Sequence, residues 1–83
     1  MSNYVEYAVE ISHDPETDQI VVTIPTLVIG DYGPDVDAAL ASLREMVQFH
    51  LECLIAEGEA IPPSDDPSTE GYFIRTKLPA RAA

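Results

Sequence analysis

One stretch of the sequence, residues 35–58, limits what the whole chain can fold into. Its apolar residues recur at steps of three and four, which places them along one side of an α-helix; they are Val36, Leu40, Leu43, Val47, Leu51 and Leu54. Asp35 precedes the run as a helix N-cap, and Gly58 follows it where a left-handed residue ends a helix. A helix of this length spans about 34 Å. The sequence therefore predicts one long amphipathic helix that needs an apolar surface to cover it.

Alternating apolar residues outside this helix predict the strands of that surface. Residues 4–12 form the clearest predicted strand, and residues 19–26 form a second that pairs with it antiparallel through the short loop 13–18. Residues 27–30 predict a short third strand and residues 71–78 a last one. The side chains predicted to face the helix are Val5, Tyr7, Val9 and Ile11 on the first strand, Ile20, Val22 and Ile24 on the second, and Tyr72, Ile74, Thr76 and Leu78 on the last.

The order of these elements, β-β-β-α-β, predicts an α+β fold: a small, mostly antiparallel sheet with one long helix on one face. Residues 31–34 are expected to turn the chain into the helix, and residues 61–69 to form an irregular connection after it. If the helix returns the chain to the start of the sheet, the last strand runs parallel to the first and lies beside it, in the spatial order 3-2-1-4. Residues 1–83 form a single predicted domain, with a frayed tail at 79–83.

Charge is distributed unevenly along the chain. The sequence has 15 Asp and Glu residues against 4 Lys and Arg, for a net charge of −11. Arg44 is the only base before residue 71, whereas Arg75, Lys77 and Arg81 make the C-terminal segment basic. Nucleic-acid binding needs clustered bases that reach phosphates, so this acidity disfavours it and favours a basic protein partner. The simpler alternative is that the acids only keep a small protein in solution.

Three features of the sequence bear on the compartment. The chain carries one cysteine, so it cannot form an internal disulfide and does not require an oxidising environment. No apolar run approaches the roughly 18 residues that crossing a bilayer requires, and the N-terminus lacks the basic and apolar parts of a signal peptide. We therefore expect a soluble cytoplasmic protein.

The residues that could carry chemistry do not form a complete site. Glu6 and Glu10 share a strand face, but a metal-dependent nuclease needs several carboxylates that converge on its ions. His50 and Cys53 are one helical turn apart, whereas structural zinc takes four ligands, and His13 lies in a turn without an orienting partner. We predict no catalytic residue, no metal site and no cofactor, and we expect a binding protein and not an enzyme. A metal-dependent nuclease is the weakest alternative.

A second apolar stripe lies on the predicted helix and consists of Met46, Phe49 and Cys53. One helix that covers one sheet does not need this stripe. It could pack on the connection at 60–69 or on a strand edge, or it could join copies of the chain into a dimer or tetramer. For so small a domain we favour self-association. An open sheet edge at the third or fourth strand offers another route to the same result.

Short motifs along the chain carry a resemblance to a known family. They are the strand YVEYAVEI, the turn Asp14-Pro15, and the segments Ile24-Pro25-Thr26-Leu27, Gly33-Pro34-Asp35, Asp37-Ala38-Ala39-Leu40, Glu57-Gly58-Glu59 and Ile61-Pro62-Pro63-Ser64. In order and spacing these motifs resemble the HicB family, the antitoxin half of bacterial HicBA toxin–antitoxin pairs. The resemblance covers residues 4–64 and depends on the whole series of motifs, since no single one is specific.

The resemblance implies a partial ribonuclease-H-like fold and a defined partner. HicB proteins bind HicA, a small basic ribonuclease that cleaves mRNA, and cover its active site. The segment after residue 64 has no room for an operator-binding module, so we expect a stand-alone domain that does not bind nucleic acid directly. Charge and exposure suggest Glu6, Glu10, Asp14, Glu16, Asp18, Asp31 and Tyr32 as the residues that contact the partner. The alternative is a solitary HicB-like homo-oligomer without a toxin.

Overall fold

Five elements follow one another in the predicted order. A computed structural model describes residues 4–67 and 70–79. The elements are β1 (Tyr4–Asp14), β2 (Gln19–Ile24), β3 (Ile29–Gly33), α1 (Val36–Ala56) and β4 (Tyr72–Lys77). The strands form one sheet in the order β3-β2-β1-β4, and every neighbouring pair is antiparallel. The predicted α+β fold is thus confirmed, while most of the tail predicted to fray, residues 79–83, lies outside the described residues.

Both ends of α1 are capped as the sequence predicts. Asp35 has an extended backbone, and its Oδ1 accepts a hydrogen bond of 2.8 Å from the backbone N–H of Ala38. At the other end Gly58 has φ of +72°, and its N–H donates to the carbonyl oxygen of Ile55 at 3.1 Å. Glycine is suited to this left-handed position because it has no Cβ to clash. The helix therefore begins and ends for local reasons.

The core lies between α1 and one face of the sheet. The strand alternation is confirmed, because the side chains of Val5, Tyr7, Val9, Val22, Ile24 and Ile74 are buried against the helix. On α1 the fully buried residues recur at steps of four and are Ala39, Leu43, Val47 and Leu51, with Leu40 and Leu54 partly buried beside them. Ala39 was not among the predicted contacts. It is buried because the helix approaches Gly33 so closely that a Cβ there would lie 2.7 Å from the Ala39 nitrogen.

The third strand is shifted from its predicted position. β3 spans Ile29–Gly33 instead of 27–30, so residues predicted to turn belong to the strand. The residues after Ile24 form the turn: the N–H of Leu27 bonds the carbonyl of Ile24 at 3.2 Å, and Val28 has φ of +56°. Leu27 nevertheless buries its side chain in the core. This turn is apolar because one of its side chains fills the core. Its composition is therefore the same as that of the predicted short strand.

The direction of β4 is the second correction. β4 lies beside β1 as predicted, but it is antiparallel to β1, with Tyr72 opposite Val9 and Lys77 opposite Tyr4. The prediction assumed that the helix alone determines where the last strand starts. In the structure the connection after α1 runs along β1 before β4 begins, so β4 can only run in the return direction.

Hydrogen bonds hold this connection against β1. The pairing of β1 with β2 stops at Glu10, which lies opposite Thr23, so β2 does not reach the earlier part of β1. Ser64 and Asp65 fill the gap: Ser64 Oγ accepts from the Glu6 N–H at 3.0 Å, and the Asp65 N–H donates to the Glu6 carbonyl at 2.9 Å. Their backbone and side chains replace the missing strand neighbour.

Asp65 has a further role, because its carboxylate joins β1 to the turn between β2 and β3. Oδ2 accepts from the backbone N–H of Ala8 at 2.7 Å, and Oδ1 accepts from Thr26 Oγ1 at 2.6 Å. Nearby, the fully buried Tyr7 donates its hydroxyl to the carbonyl oxygen of Pro62 at 2.7 Å. The connection at 62–65 is thus a fixed part of the fold and not a loose linker.

We predict that Asp65→Ala lowers the free energy of unfolding by about 1 to 2 kcal/mol, because the Ala8 donor loses a charged acceptor. Urea unfolding monitored by circular dichroism measures the change. Thr26→Val removes only the hydrogen bond from Thr26 Oγ1 to Asp65 Oδ1 and should lower the free energy of unfolding by less. Glu59→Ala, at an exposed position just after the helix, serves as the control. If Asp65→Ala lowers the free energy of unfolding no more than the control does, the hydrogen bonds of Asp65 do not stabilise the fold as proposed.

Tyr7 provides a prediction about alkaline pH. Burial raises the pKa of Tyr7 above its ordinary value of 10.0, and the negative charge of Asp65 raises it further. The folded chain therefore holds this proton to higher pH than the unfolded chain, so stability falls as pH rises above about 10. Tyr7→Phe should cost about 1 kcal/mol at pH 7 through the lost hydrogen bond, and the difference from wild type should shrink as pH rises above 10.

Urea unfolding of both proteins from neutral to strongly alkaline pH measures this difference. Tyr32→Phe, at an exposed tyrosine, is the matched control because it also removes one phenol. A stability difference between wild type and Tyr7→Phe that stays constant with pH would show that Tyr7 does not titrate differently in the two states.

Candidate protein-binding surface

The two faces of the sheet differ because α1 covers only one of them. The register places alternate residues of the strands on the opposite side, which we call the outer face. Its members are Tyr4, Glu6, Ala8, Glu10, Ser12 and Asp14 of β1, Gln19, Val21 and Thr23 of β2, Gly30 and Tyr32 of β3, and Phe73, Arg75 and Lys77 of β4. In residues 4–67 and 70–79, α1 is the only helix, so the outer face carries no helical layer.

A row of carboxylates runs along the middle of the outer face. Glu6, Glu10 and Asp14 are each four residues apart on β1, which corresponds to about 13 Å at 3.3 Å per residue. β4 pairs with residues 4–9 of β1 and β2 pairs with residues 10–14, so backbone pairing holds each part of this strand on one side. Glu10 is exposed, whereas Glu6 and Asp14 are partly buried. The fold therefore presents negative charge at regular intervals on a rigid strand.

Arg75 moderates this charge at one end of the row. Its Nε lies 3.7 Å from Glu6 Oε1, and its guanidinium carbon lies 4.5 Å from the centre of the Tyr4 ring. In the register Glu6 and Arg75 are directly opposite, so opposite charges meet across β1 and β4 at this position, whereas Lys77 lies opposite Tyr4. The Arg75 side chain is 64% exposed and that of Glu6 43%, so solvent screens the ion pair and it contributes well under about 1 kcal/mol. Glu10 has no such base in register, since it lies opposite Thr23.

The row continues into the β1–β2 turn. Asp14 organises this turn, because Oδ1 accepts from the Glu16 N–H and Oδ2 accepts from Thr17 Oγ1, both at 3.0 Å. Asp18 closes it with φ of +57°, and its Oδ1 lies 2.7 Å from His13 Nε2. The loop predicted at 13–18 is thus held by the side chains of Asp14 and Asp18. Glu16 and Asp18 are exposed, with 91% of the Asp18 side chain accessible, so two further acids extend beyond the sheet.

Asp31 and Tyr32 do not share a surface. Asp31 lies opposite Val22, on the side of the sheet that α1 covers, and its Oδ1 accepts from the N–H of Tyr32 at 2.8 Å. Tyr32 lies opposite Val21 on the outer face, and 65% of the residue is exposed. Of the seven suggested contact residues, the structure brings six to the outer face and its adjoining turn, and it places Asp31 elsewhere.

The stripe suggested for self-association lies on α1, away from the acidic row. Phe49 is 66% exposed, which is unusual for a phenylalanine, whereas Met46 and Cys53 are partly buried. On another side of α1, Gln48 donates to Thr76 Oγ1 and to the carbonyl oxygen of Lys77, the latter at 2.9 Å. This contact anchors the helix to β4. Sequence analysis missed it because a polar residue beside an apolar stripe does not indicate its partner.

The role of Asp65 is not visible in the sequence, which predicts an irregular connection at this position. Its partners Ala8 and Thr26 are 57 and 39 residues away in the chain. The only local signal was a serine and an aspartate after two prolines, which is equally typical of a solvated loop.

The described part of the chain, residues 4–67 and 70–79, has neither a metal-binding cluster nor a helix that could span a membrane. Within it, no group of three or more His, Cys, Asp or Glu side chains is arranged to hold a metal ion, so His50 and Cys53 do not gain a third ligand of this kind. The same residues contain no helix that combines the length and apolar character required to cross a bilayer.

Comparisons with protein-family models, with curated proteins and with solved structures found no match to this chain. The likeness to HicB proteins and to a partial ribonuclease-H-like fold therefore stays a prediction. The geometry itself consists of a rigid acidic row, an acidic turn and an exposed tyrosine on one face of a sheet. Such a surface is suited to contact with a basic macromolecule.

Proposed function

We propose that the protein is an antitoxin-like protein that binds a small basic mRNA ribonuclease of the HicA type and covers its active site. The supporting observation is the row Glu6, Glu10 and Asp14 on the outer face, extended by Glu16 and Asp18 at the turn. The identity of the partner rests on the resemblance of the sequence motifs to HicB proteins. The role places the protein in the cytoplasm, where mRNA is translated.

Charge is the first support for this function. A ribonuclease that grips the phosphates of mRNA does so with a basic surface. The acidic row presents carboxylates at regular intervals on one strand and so offers that surface an alternative set of negative charges. Opposite potentials raise the rate of encounter and disfavour acidic partners. The attraction is screened over about 8 Å at physiological ionic strength, so binding should weaken with added salt.

Rigidity is the second support. Glu6 lies on the part of β1 that β4 and the segment 64–65 hold, and Glu10 and Asp14 lie on the part that β2 holds. Asp14 also holds the turn through two hydrogen bonds, so little conformational freedom is lost on binding. Tyr32, on the same face, is 65% exposed and can add apolar contact together with a hydroxyl. A sheet face seated on a ribonuclease excludes the RNA strand by occupying its place.

The first test is whether a small basic protein of the HicA type is encoded beside this gene, and the second is co-expression with that protein, scored by a stable complex and by rescue of growth. We expect Glu6→Gln/Glu10→Gln to weaken the complex about tenfold, mainly through slower association. The matched control is Glu45→Gln/Glu52→Gln, which removes the same charge from exposed positions on α1. Surface plasmon resonance at two salt concentrations measures the association rate and the affinity of both variants for the partner.

No complex with the wild-type protein, or growth arrest that it fails to relieve, would contradict the antitoxin function. Equal weakening by the strand variant and the helix control would show that net charge matters and the acidic row does not.

The exposed ring of Phe49 favours a second candidate function, a homo-oligomeric interaction module without a toxin. Under this function α1 joins copies of the chain through Met46, Phe49 and Cys53. Phe49→Ser should then reduce a tetramer to a dimer, or a dimer to a monomer, in sedimentation equilibrium. Glu45→Ser changes a neighbouring exposed position and should leave the assembly unchanged. An unchanged mass for Phe49→Ser would exclude this surface.

A further inference from the structure

The two edges of the sheet differ in their capacity to accept another strand. At the β3 edge, Asp31 Oδ1 already accepts the N–H of Tyr32, at 2.8 Å, and Pro34, which has no N–H, follows the strand. A carboxylate that takes a backbone donor, together with a proline, protects a short edge strand against pairing. β4 forms the other edge, and within residues 4–67 and 70–79 no strand pairs with its outer side.

The hydrogen bonds of β1 show which groups β4 directs outward. The N–H of Glu6 donates to Ser64 Oγ, and the N–H of Ala8 donates to Asp65 Oδ2. The backbone groups of Glu6 and Ala8 therefore point away from β4. The N–H and C=O groups of successive residues in a strand point to opposite sides, so those of Val5, Tyr7 and Val9 point toward β4. Their partners on β4, whose groups point back toward β1, are Thr76, Ile74 and Tyr72. Phe73, Arg75 and Lys77 therefore direct their N–H and C=O to the outer edge. The bond from Gln48 to the Lys77 carbonyl agrees with this assignment.

Side chains at the β4 edge also lack full cover. Tyr72 lies opposite the buried Val9, on the face that α1 covers, yet 61% of Tyr72 is exposed because the helix does not reach it. Phe73 is half-buried on the outer face. An edge with aromatic side chains on both faces and outward backbone groups has the features of a strand-pairing interface.

Charge indicates which partner fits this edge. The chain carries a net charge of −11, so two copies repel each other over most of their surface. The charged residues of β4 are both bases, Arg75 and Lys77, and Arg75 is matched by Glu6. β4 therefore brings few charges to a contact between two copies, and one of its two bases is already paired with an acid.

We infer that two copies of the chain associate through antiparallel pairing of their β4 strands, with Phe73 of each copy opposite the partner's Arg75. In this register the Phe73 ring lies beside a guanidinium, Ile74 lies opposite the partner's Ile74, and Tyr72 is covered opposite the partner's Thr76. A register two residues further along would place Arg75 against the partner's Arg75, and like charges directly opposite are destabilising. The two four-stranded sheets become one continuous sheet.

This assembly does not rest on the proposed antitoxin function. The Glu10 and Asp14 carboxylates lie on β1 and remain accessible when β4 is paired. Loss of the dimer and loss of toxin binding are therefore separate outcomes, and neither implies the other.

The first experiment uses proline at an outward-facing position. Phe73→Pro removes an N–H that points to the outer edge and leaves the hydrogen bonds between β4 and β1 in place. Sedimentation equilibrium should show a wild-type dimer, a dimer for the control Phe73→Ala, and at least a tenfold weaker association for Phe73→Pro. Phe49→Ser, which changes only α1, should retain the dimer, whereas a monomeric Phe49→Ser variant would assign the dimer to α1 and not to β4. A monomeric wild type, or a Phe73→Pro variant that associates like Phe73→Ala, would overturn the inference.

The second experiment is independent of proline and tests the register. In a Cys53→Ser background, Phe73→Cys/Arg75→Cys places a cysteine of each copy opposite a cysteine of the other, within reach of a disulfide. Mild oxidation should give a covalent dimer on a non-reducing gel. Phe73→Cys alone should give much less covalent dimer, because the introduced sulfurs of the two copies do not lie opposite each other. No covalent dimer from the double variant, or equal amounts from both, would overturn the proposed register.

Discussion

The contact between the buried stripe of α1 and the inner face of the sheet supports the rest of the structure. Leu43, Val47 and Leu51 are fully buried, and on the sheet side so are Tyr7 and Ile24. A chain of 83 residues has room for one such core, and burial of apolar area is its main stabilising term. Because one helix covers one face, the other face of the sheet remains available for solvent or a partner. The location of the candidate surface is thus a consequence of where the core lies.

The core alone would leave β1 with unmatched backbone groups, and polar contacts from the rest of the chain supply their partners. Ser64 and Asp65 bind the part of β1 that β2 does not reach, and Gln48 holds α1 to the end of β4. A buried backbone donor or acceptor without a partner costs as much as a lost hydrogen bond or more. These contacts therefore determine the path of the connection, and that path determines the direction of β4.

Function in this fold depends on what its surfaces present. The outer face combines a central acidic row with an exposed tyrosine, whereas the β4 edge combines two bases with outward backbone groups. The first arrangement suits a basic macromolecule and the second suits another strand. Since the acids lie on β1 and the edge is β4, the two surfaces can be occupied together.

The sequence by itself determined the helix with its caps, the inward residues of three strands, the turn built on Asp14 and Asp18, and the acidic row on one strand face. All of these depend on periodicity or on neighbours within a few residues, and such information is local. Tertiary structure alone decided the bounds of β3, the direction of β4, the burial of Ala39 against Gly33, and the separation of Asp31 from Tyr32. It also decided which edge stays open. Those features depend on contacts between residues such as Asp65 and Ala8, 57 positions apart, and no local pattern specifies partners at that distance.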